Sequence, residues 1–210
     1  MSEKGTLVIS LDFELLWGVF DKVDYLQKHQ YFRTTKEVIP QILNLFQKYD
    51  IACTWASVGM LYNSNWEEWK SNAPTITPDY SNEAFSAYKY GRTIVSDETE
   101  EICFAPDLLG LISKTPRQEV GTHTYSHYYC LEAGQEVEAF EADLGKAISV
   151  AREKKVFIES LVFPRNQFNA EYLDVCRKLG ITSVRTNPDI WYWKNTQRDS
   201  LSQKIFRTGD

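Results

Sequence analysis

The sequence predicts an α/β protein built on a parallel sheet, either open or closed into a barrel. Three observations carry this. Short β-branched runs alternate with stretches of helical periodicity. Apolar residues make up 43% of the 210 residues and charged residues 25%, a mixture that buries one core and keeps a wet surface. Residues with chemistry to offer follow the predicted strands, where active residues gather in such sheets.

Taken in order, Thr6–Leu11 (TLVISL) reads as a buried strand. Residues 34–49 carry apolar side chains at helical spacing (Val38, Ile39, Ile42, Leu43, Leu45, Phe46). Thr34 and Glu37 have capping-box spacing, which starts that helix at Thr34, with Pro40 tolerated in an early turn. Ile51–Ser57 is the second strand. Residues 61–105 lack strong periodicity and are too long for an ordinary connection. They read as an insertion within a single domain of residues 1–210, with a short helix near Asn82–Tyr88.

Pro106–Lys114 is a helix and Gln118–Gly121 a short strand. Glu136–Lys155 is the clearest helix. Its early acids and late Arg152, Lys154 and Lys155 complement the helix dipole. Leu161–Pro164 is a strand. Asn169–Leu179 is a helix closed by Gly180, and Ile181–Thr186 is the last strand.

Composition sets bounds on partners. There are 23 basic and 29 acidic residues, a net charge of −6, which argues against broad nucleic-acid binding. No run approaches the roughly 20 apolar residues of a membrane span. The start, MSEKGTLVIS, is not a secretory signal. Cys53, Cys103, Cys130 and Cys176 are widely spaced and read as reduced thiols. A cytoplasmic location follows, with work at the inner membrane surface left open.

The strand ends hold a metal-site inventory. Asp12 and Glu14 follow the first strand, and strand period two points them to one side. His123 and His127 follow the third, four residues apart as on one helical face. Arg165 follows the next, and Asp189 the last. Two imidazoles and a carboxylate form a typical open site for Zn²⁺ or a similar divalent ion.

These residues resemble the polysaccharide deacetylase family, carbohydrate esterase family four. SLDFELLWG is similar to its first motif and HTYSH matches its second. FPRNQ and PDIW resemble the third and fourth more loosely. The resemblance implies a distorted (β/α) barrel, and 210 residues are short for it, so the expectation is a barrel incomplete at the C-terminus. It also implies a metal-dependent hydrolase that removes N-acetyl or O-acetyl groups from a sugar or polysaccharide. Glu14, His123 and His127 would hold the metal, most simply Zn²⁺, with Co²⁺, Ni²⁺ or Mn²⁺ as alternatives.

In the same reading Asp12 is the general base for a metal-activated water, Arg165 pairs with it, and Asp189 orients a histidine or meets sugar. Trp17 and Trp191 would offer flat faces to sugar rings, and Trp66 and Trp69 would shape a glycan groove. The family's pair is D-D where this chain has D-x-E. The family also places a general-acid histidine late in the chain, and no histidine follows His127. Two alternatives therefore stand beside the deacetylase: another amide or formamide hydrolase on the same frame, and a catalytically inactive glycan-binding domain.

Overall fold

Each strand of the molecule pairs with the next one in sequence. The computed structural model describes residues 5, 7–187, 190–193 and 200–208. Its strands are β1 (Ser10–Phe13), β2 (Cys53–Ser57), β3 (Gln118–Thr122), β4 (Ser160–Val162) and β5 (Ser183–Arg185), all parallel, in the order β1-β2-β3-β4-β5. An order that never reverses keeps right-handed crossovers turning one way, which curls a sheet rather than leaving it doubly wound. The five strands form a curled half-barrel. Arg185 on β5 reaches Ser10 and Asp12 on β1, across the whole width of the sheet.

Strand alternation separates the two faces. Leu11, Phe13, Trp55, Val120, Leu161 and Val184 share the face that packs into the core. Ser10, Asp12, Thr54, Glu119, Ser183 and Arg185 share the other, which is polar. A packed barrel fills its inside with branched apolar chains; this concave face does not.

The helices are α1 (Tyr25–Lys48), α2 (Trp66–Asn72), α3 (Ala87–Thr93), α4 (Asp97–Cys103), α5 (Pro106–Lys114), α6 (Val137–Glu153), α7 (Ala170–Lys178) and α8 (Leu201–Arg207). The last six predicted elements, from Pro106 to Arg185, match α5, β3, α6, β4, α7 and β5 within a few residues, with Gly180 at φ +86° past α7. The first helix does not start at Thr34. The Asp24 carboxylate accepts the Leu26 N–H, so α1 begins at Tyr25. Thr34 and Thr35 lie mid-helix, where Thr34 accepts from Gln30 and Thr35 donates to the Tyr31 carbonyl. Hydroxyls bonded back along the helix do not cap it.

The first strand also shifts. Leu7 and Val8 are exposed, and β1 runs to Phe13, so Asp12 lies inside the strand. The insertion at 61–105 holds three short helices, α2 to α4, rather than the single one expected. Each is seven residues long, too short to show a periodic signal. Side-chain caps and tryptophan packing hold them. Asn65 caps α2, and the Trp66 indole donates to the Ser96 carbonyl and the Thr99 hydroxyl. All four cysteines are free and buried. Among the described residues no helix is long and apolar enough to cross a membrane.

Candidate metal centre

Three side chains from distant parts of the chain converge at the carboxyl end of the sheet. Glu14 follows β1 and opens a tight turn, Leu15–Gly18, in which Leu15 takes φ +46°. A Cβ on Gly18 would fall 1.9 Å from the Glu14 Cδ. The missing side chain of Gly18 is therefore the space the carboxyl group occupies.

His123 and His127 arrive on the segment after β3. The sequence spacing suggests one face of a helix, but the segment is an irregular loop. Thr124 and His127 are left-handed, at φ +64° and +58°. For a β-branched residue such as Thr124 this conformation is costly and persists only when surroundings determine it. The Thr124 hydroxyl donates to the His123 carbonyl (2.6 Å) and accepts the Tyr128 N–H (2.7 Å). Further along the loop's edge, the Thr124 and Tyr125 carbonyls accept the N–H groups of Gly59 and Met60.

The loop aims both Nε2 atoms at one oxygen. Glu14 Oε2 lies 3.5 Å from His123 Nε2 and 3.2 Å from His127 Nε2. One donor atom from each residue falls within 4.8 Å of the others. Burial is the larger influence on His123 and pushes its pKa down to about 4, with the neighbouring His127 adding to the fall. A neutral imidazole keeps a free lone pair, which is what a metal ligand needs. Burial works to raise the Glu14 pKa, yet the hydrogen bond and charge of His127, then His123 and Lys22, hold it below the ordinary value. Both Nδ1 atoms are buried without a hydrogen-bond partner. The Val162 backbone nonetheless favours the protonated His123 ring. Donor types, spacing and protonation fit a divalent ion bound through Nε2, Nε2 and carboxylate.

A cleft of about 240 Å³ opens onto this cluster, lined also by Asp12, Lys22, Arg165, Asn166 and Arg185. Asp12 is paired with Arg185, Nη2 to Oδ2 3.1 Å, while Arg185 Nη1 bonds the Ser10 hydroxyl at 2.8 Å. The expected Arg165–Asp12 pair is thus corrected. Arg165 bonds the buried carboxylate of Asp21 and the Tyr129 hydroxyl, and its guanidinium lies 3.9 Å from the Tyr129 ring centroid. The reason is local: Arg165 and Asn166 are left-handed, at φ +53° and +51°, which turns the chain after β4. Tyr129 in turn sets its ring edge-on to His127 at 5.1 Å. Arg165 therefore braces the histidine side of the cleft.

The tryptophans are corrected as well. Trp17 is fully buried, stacked on Trp69 and bonded to the Cys103 carbonyl at 2.7 Å. It offers no face to a ligand, because the Leu15–Gly18 turn throws it into the core. Trp66 and Trp69 are buried in the same cluster. Trp191 is 52% exposed, packed edge-on to Phe206. Asp189 lies outside the described residues. Sequence reasoning missed Gly18, Asp21, Tyr129, Asp143 and Arg185. Of these only Arg185 carried a signal, being two residues past Ser183 and so on a predictable face of the last strand.

A parallel half-barrel with a carboxylate and two imidazoles at its carboxyl end defines an α/β-barrel protein with a metal-type donor set. The family model described as polysaccharide deacetylase matches residues 19–184. The chain belongs to the polysaccharide deacetylase family. No curated protein sequence matches it. Among solved structures, a candidate polysaccharide deacetylase from Mycobacterium smegmatis is similar, with TM-score 0.55 and 12% identity over 86% of this chain and 50% of that one. The deacetylase domain of BpsB from Bordetella bronchiseptica gives 0.48 and 12%, over 85% of this chain and 62% of that one. BA3943 from Bacillus anthracis, a CE4-family pseudoenzyme, gives 0.43 and 15%, over 84% of this chain and 42% of that one. The chain spans about half the length of these structures.

Proposed function

We propose that this chain is a metal-dependent hydrolase that removes an N-acetyl or O-acetyl group from a sugar or glycan. The observation that carries the reading is the meeting of Glu14, His123 and His127 at one point in the cleft with the Asp12 carboxylate beside them. Glu14 and the two Nε2 atoms would hold the ion, a donor set that suits Zn²⁺ and also accepts Co²⁺, Ni²⁺ or Mn²⁺. A divalent ion held there would acidify a water and polarise an acyl oxygen. Asp12 takes the proton of the attacking water as general base. Arg185 holds that carboxylate in place at the cleft through its Nη2–Oδ2 contact. Trp191, with Asp189 in the adjoining segment, contacts the sugar. The acetylated amino sugar is met in the cytoplasm, including the inner membrane surface.

Acetate release from N-acetylated oligosaccharides, with and without chelator, tests the reading. Release that stops with chelator and in Asp12→Asn supports it. Chelator-insensitive release, or unchanged release in Asp12→Asn, rejects it. A panel of formyl-sugars beside acetyl-sugars separates a deformylase on the same frame. A second reading has its own observation: His123 and His127 are the only imidazoles among the described residues lining the cleft. Under it the chain binds acetylated glycan without cleaving it, and binding with no acetate at any metal loading favours it.

A further inference from the structure

The loop that carries both imidazoles is tied at its middle to one carboxylate that belongs to none of the motifs. Asp143 lies on the inner face of α6 and is fully buried. Its Oδ1 accepts the N–H groups of Tyr125 (2.7 Å) and Ser126 (3.2 Å). Its Oδ2 accepts the hydroxyls of Ser126 (2.5 Å) and Tyr88 (2.7 Å). Three of these donors come from the loop between the histidines. The fourth comes from α3, inside the insertion.

Burying a carboxylate is costly unless its oxygens are satisfied. Burial alone raises the Asp143 pKa, and the Ser126, Tyr88 and Tyr125 donors oppose that rise. The held residues are the two between the left-handed Thr124 and the left-handed His127. Freed from Asp143, the loop has every steric reason to leave those conformations. His127 follows Ser126 directly, so a shift there moves an Nε2 atom away from Glu14.

The insertion adds further ties to the same loop. The Tyr80 hydroxyl accepts the Tyr129 N–H at 2.8 Å, and the Asn63 amide donates to the Tyr125 hydroxyl at 3.1 Å. Its tryptophans point into the core. The insertion is built as a brace beneath the metal loop.

We propose that Asp143, backed by Tyr88, is the positioning residue of the metal centre, holding the 123–129 loop so that both histidines meet Glu14. This rests on the metal-binding part of the proposed function. The test titrates Co²⁺ into the full chain, read by calorimetry and by the Co²⁺ absorption bands. The variants are Tyr88→Phe, Asp143→Asn and a destabilised control, Leu109→Ala, in the core on α5. Outer-shell changes commonly weaken metal binding about 10- to 100-fold. Asp143→Asn is expected in that range with altered bands, Tyr88→Phe several-fold, and Leu109→Ala unchanged despite a lower Tm. Parental affinity in both folded variants overturns the proposal, as does equal weakening in Leu109→Ala. If Asp143→Asn does not fold, Tyr88→Phe, which deletes one hydroxyl, decides alone. A parent chain that binds no metal overturns the metal centre and this inference together; parental binding left unchanged by the variants overturns this inference only.

Discussion

The two sides of the cleft are built differently. On the histidine side, His123 and His127 are 3% and 5% exposed, on a loop anchored to β2, α3 and α6 by buried hydrogen bonds. On the other side, Asp12 and Arg185 are 36% and 38% exposed and join the two edge strands of the half-barrel. Buried hydrogen-bonded networks fix geometry and are costly to break. A half-exposed ion pair contributes little stability and mainly orients its partner. Changes on the first side should therefore register in metal binding and folding, and changes on the second in turnover.

Gly18→Ala attacks the buried cluster most sharply. The new methyl needs the space of the Glu14 carboxyl. The helices should survive in circular dichroism while metal affinity falls about 10- to 100-fold, as when a ligand's support is disturbed. Unchanged affinity would mean that metal binding does not need the Glu14 carboxyl in the space beside Gly18.

Acid separates the sides next. His123 has a folded pKa of about 4 against an ordinary 6.5. Between those values the unfolded chain binds the proton first, so stability is present above pH 6.5 and is lost as pH falls toward 4. The loss is roughly 3 kcal/mol for that separation. The Glu14 carboxyl, held low, loses its own contribution in the same direction as pH falls further. Urea midpoints of metal-free protein at pH 7.5 and 5 check this. His123→Ala should flatten the difference, whereas Arg185→Gln should leave it.

Arg185→Gln has the smallest structural effect. An exposed pair is worth roughly 0.2–1 kcal/mol, so Tm should move by only a few degrees. Metal affinity should hold, and kcat should fall, by less than the roughly 10²–10⁴-fold that a general base itself contributes. Equal loss of metal affinity would erase the distinction between the two sides.

The ligand candidates were legible because each is a short-range signal: Asp12 and Glu14 two residues apart at a strand end, His123 and His127 four apart after another. Their partners were not. Arg165 and Arg185 both leave the carboxyl end of a strand, and which one reaches Asp12 depends on how far the sheet curls and how residues 165 and 166 turn. Trp17 stands close to Glu14 in sequence, yet a single turn buries it on the opposite side. Thr34 looked like a cap because the rule reads spacing, and the chain nine residues earlier was already helical.

By itself the sequence determined the parallel α/β class, most element positions after Pro106, and the residue types of a candidate metal centre. Those follow from side-chain periodicity and from donor chemistry, which are local. Only the tertiary structure decided that the histidine pair rides a strained loop rather than a helix, that Asp143 and the insertion hold it, and that Arg185 serves Asp12. Each of those outcomes depends on contacts between residues 17 to 173 positions apart, where buried polar groups must find partners and nothing in local spacing says which.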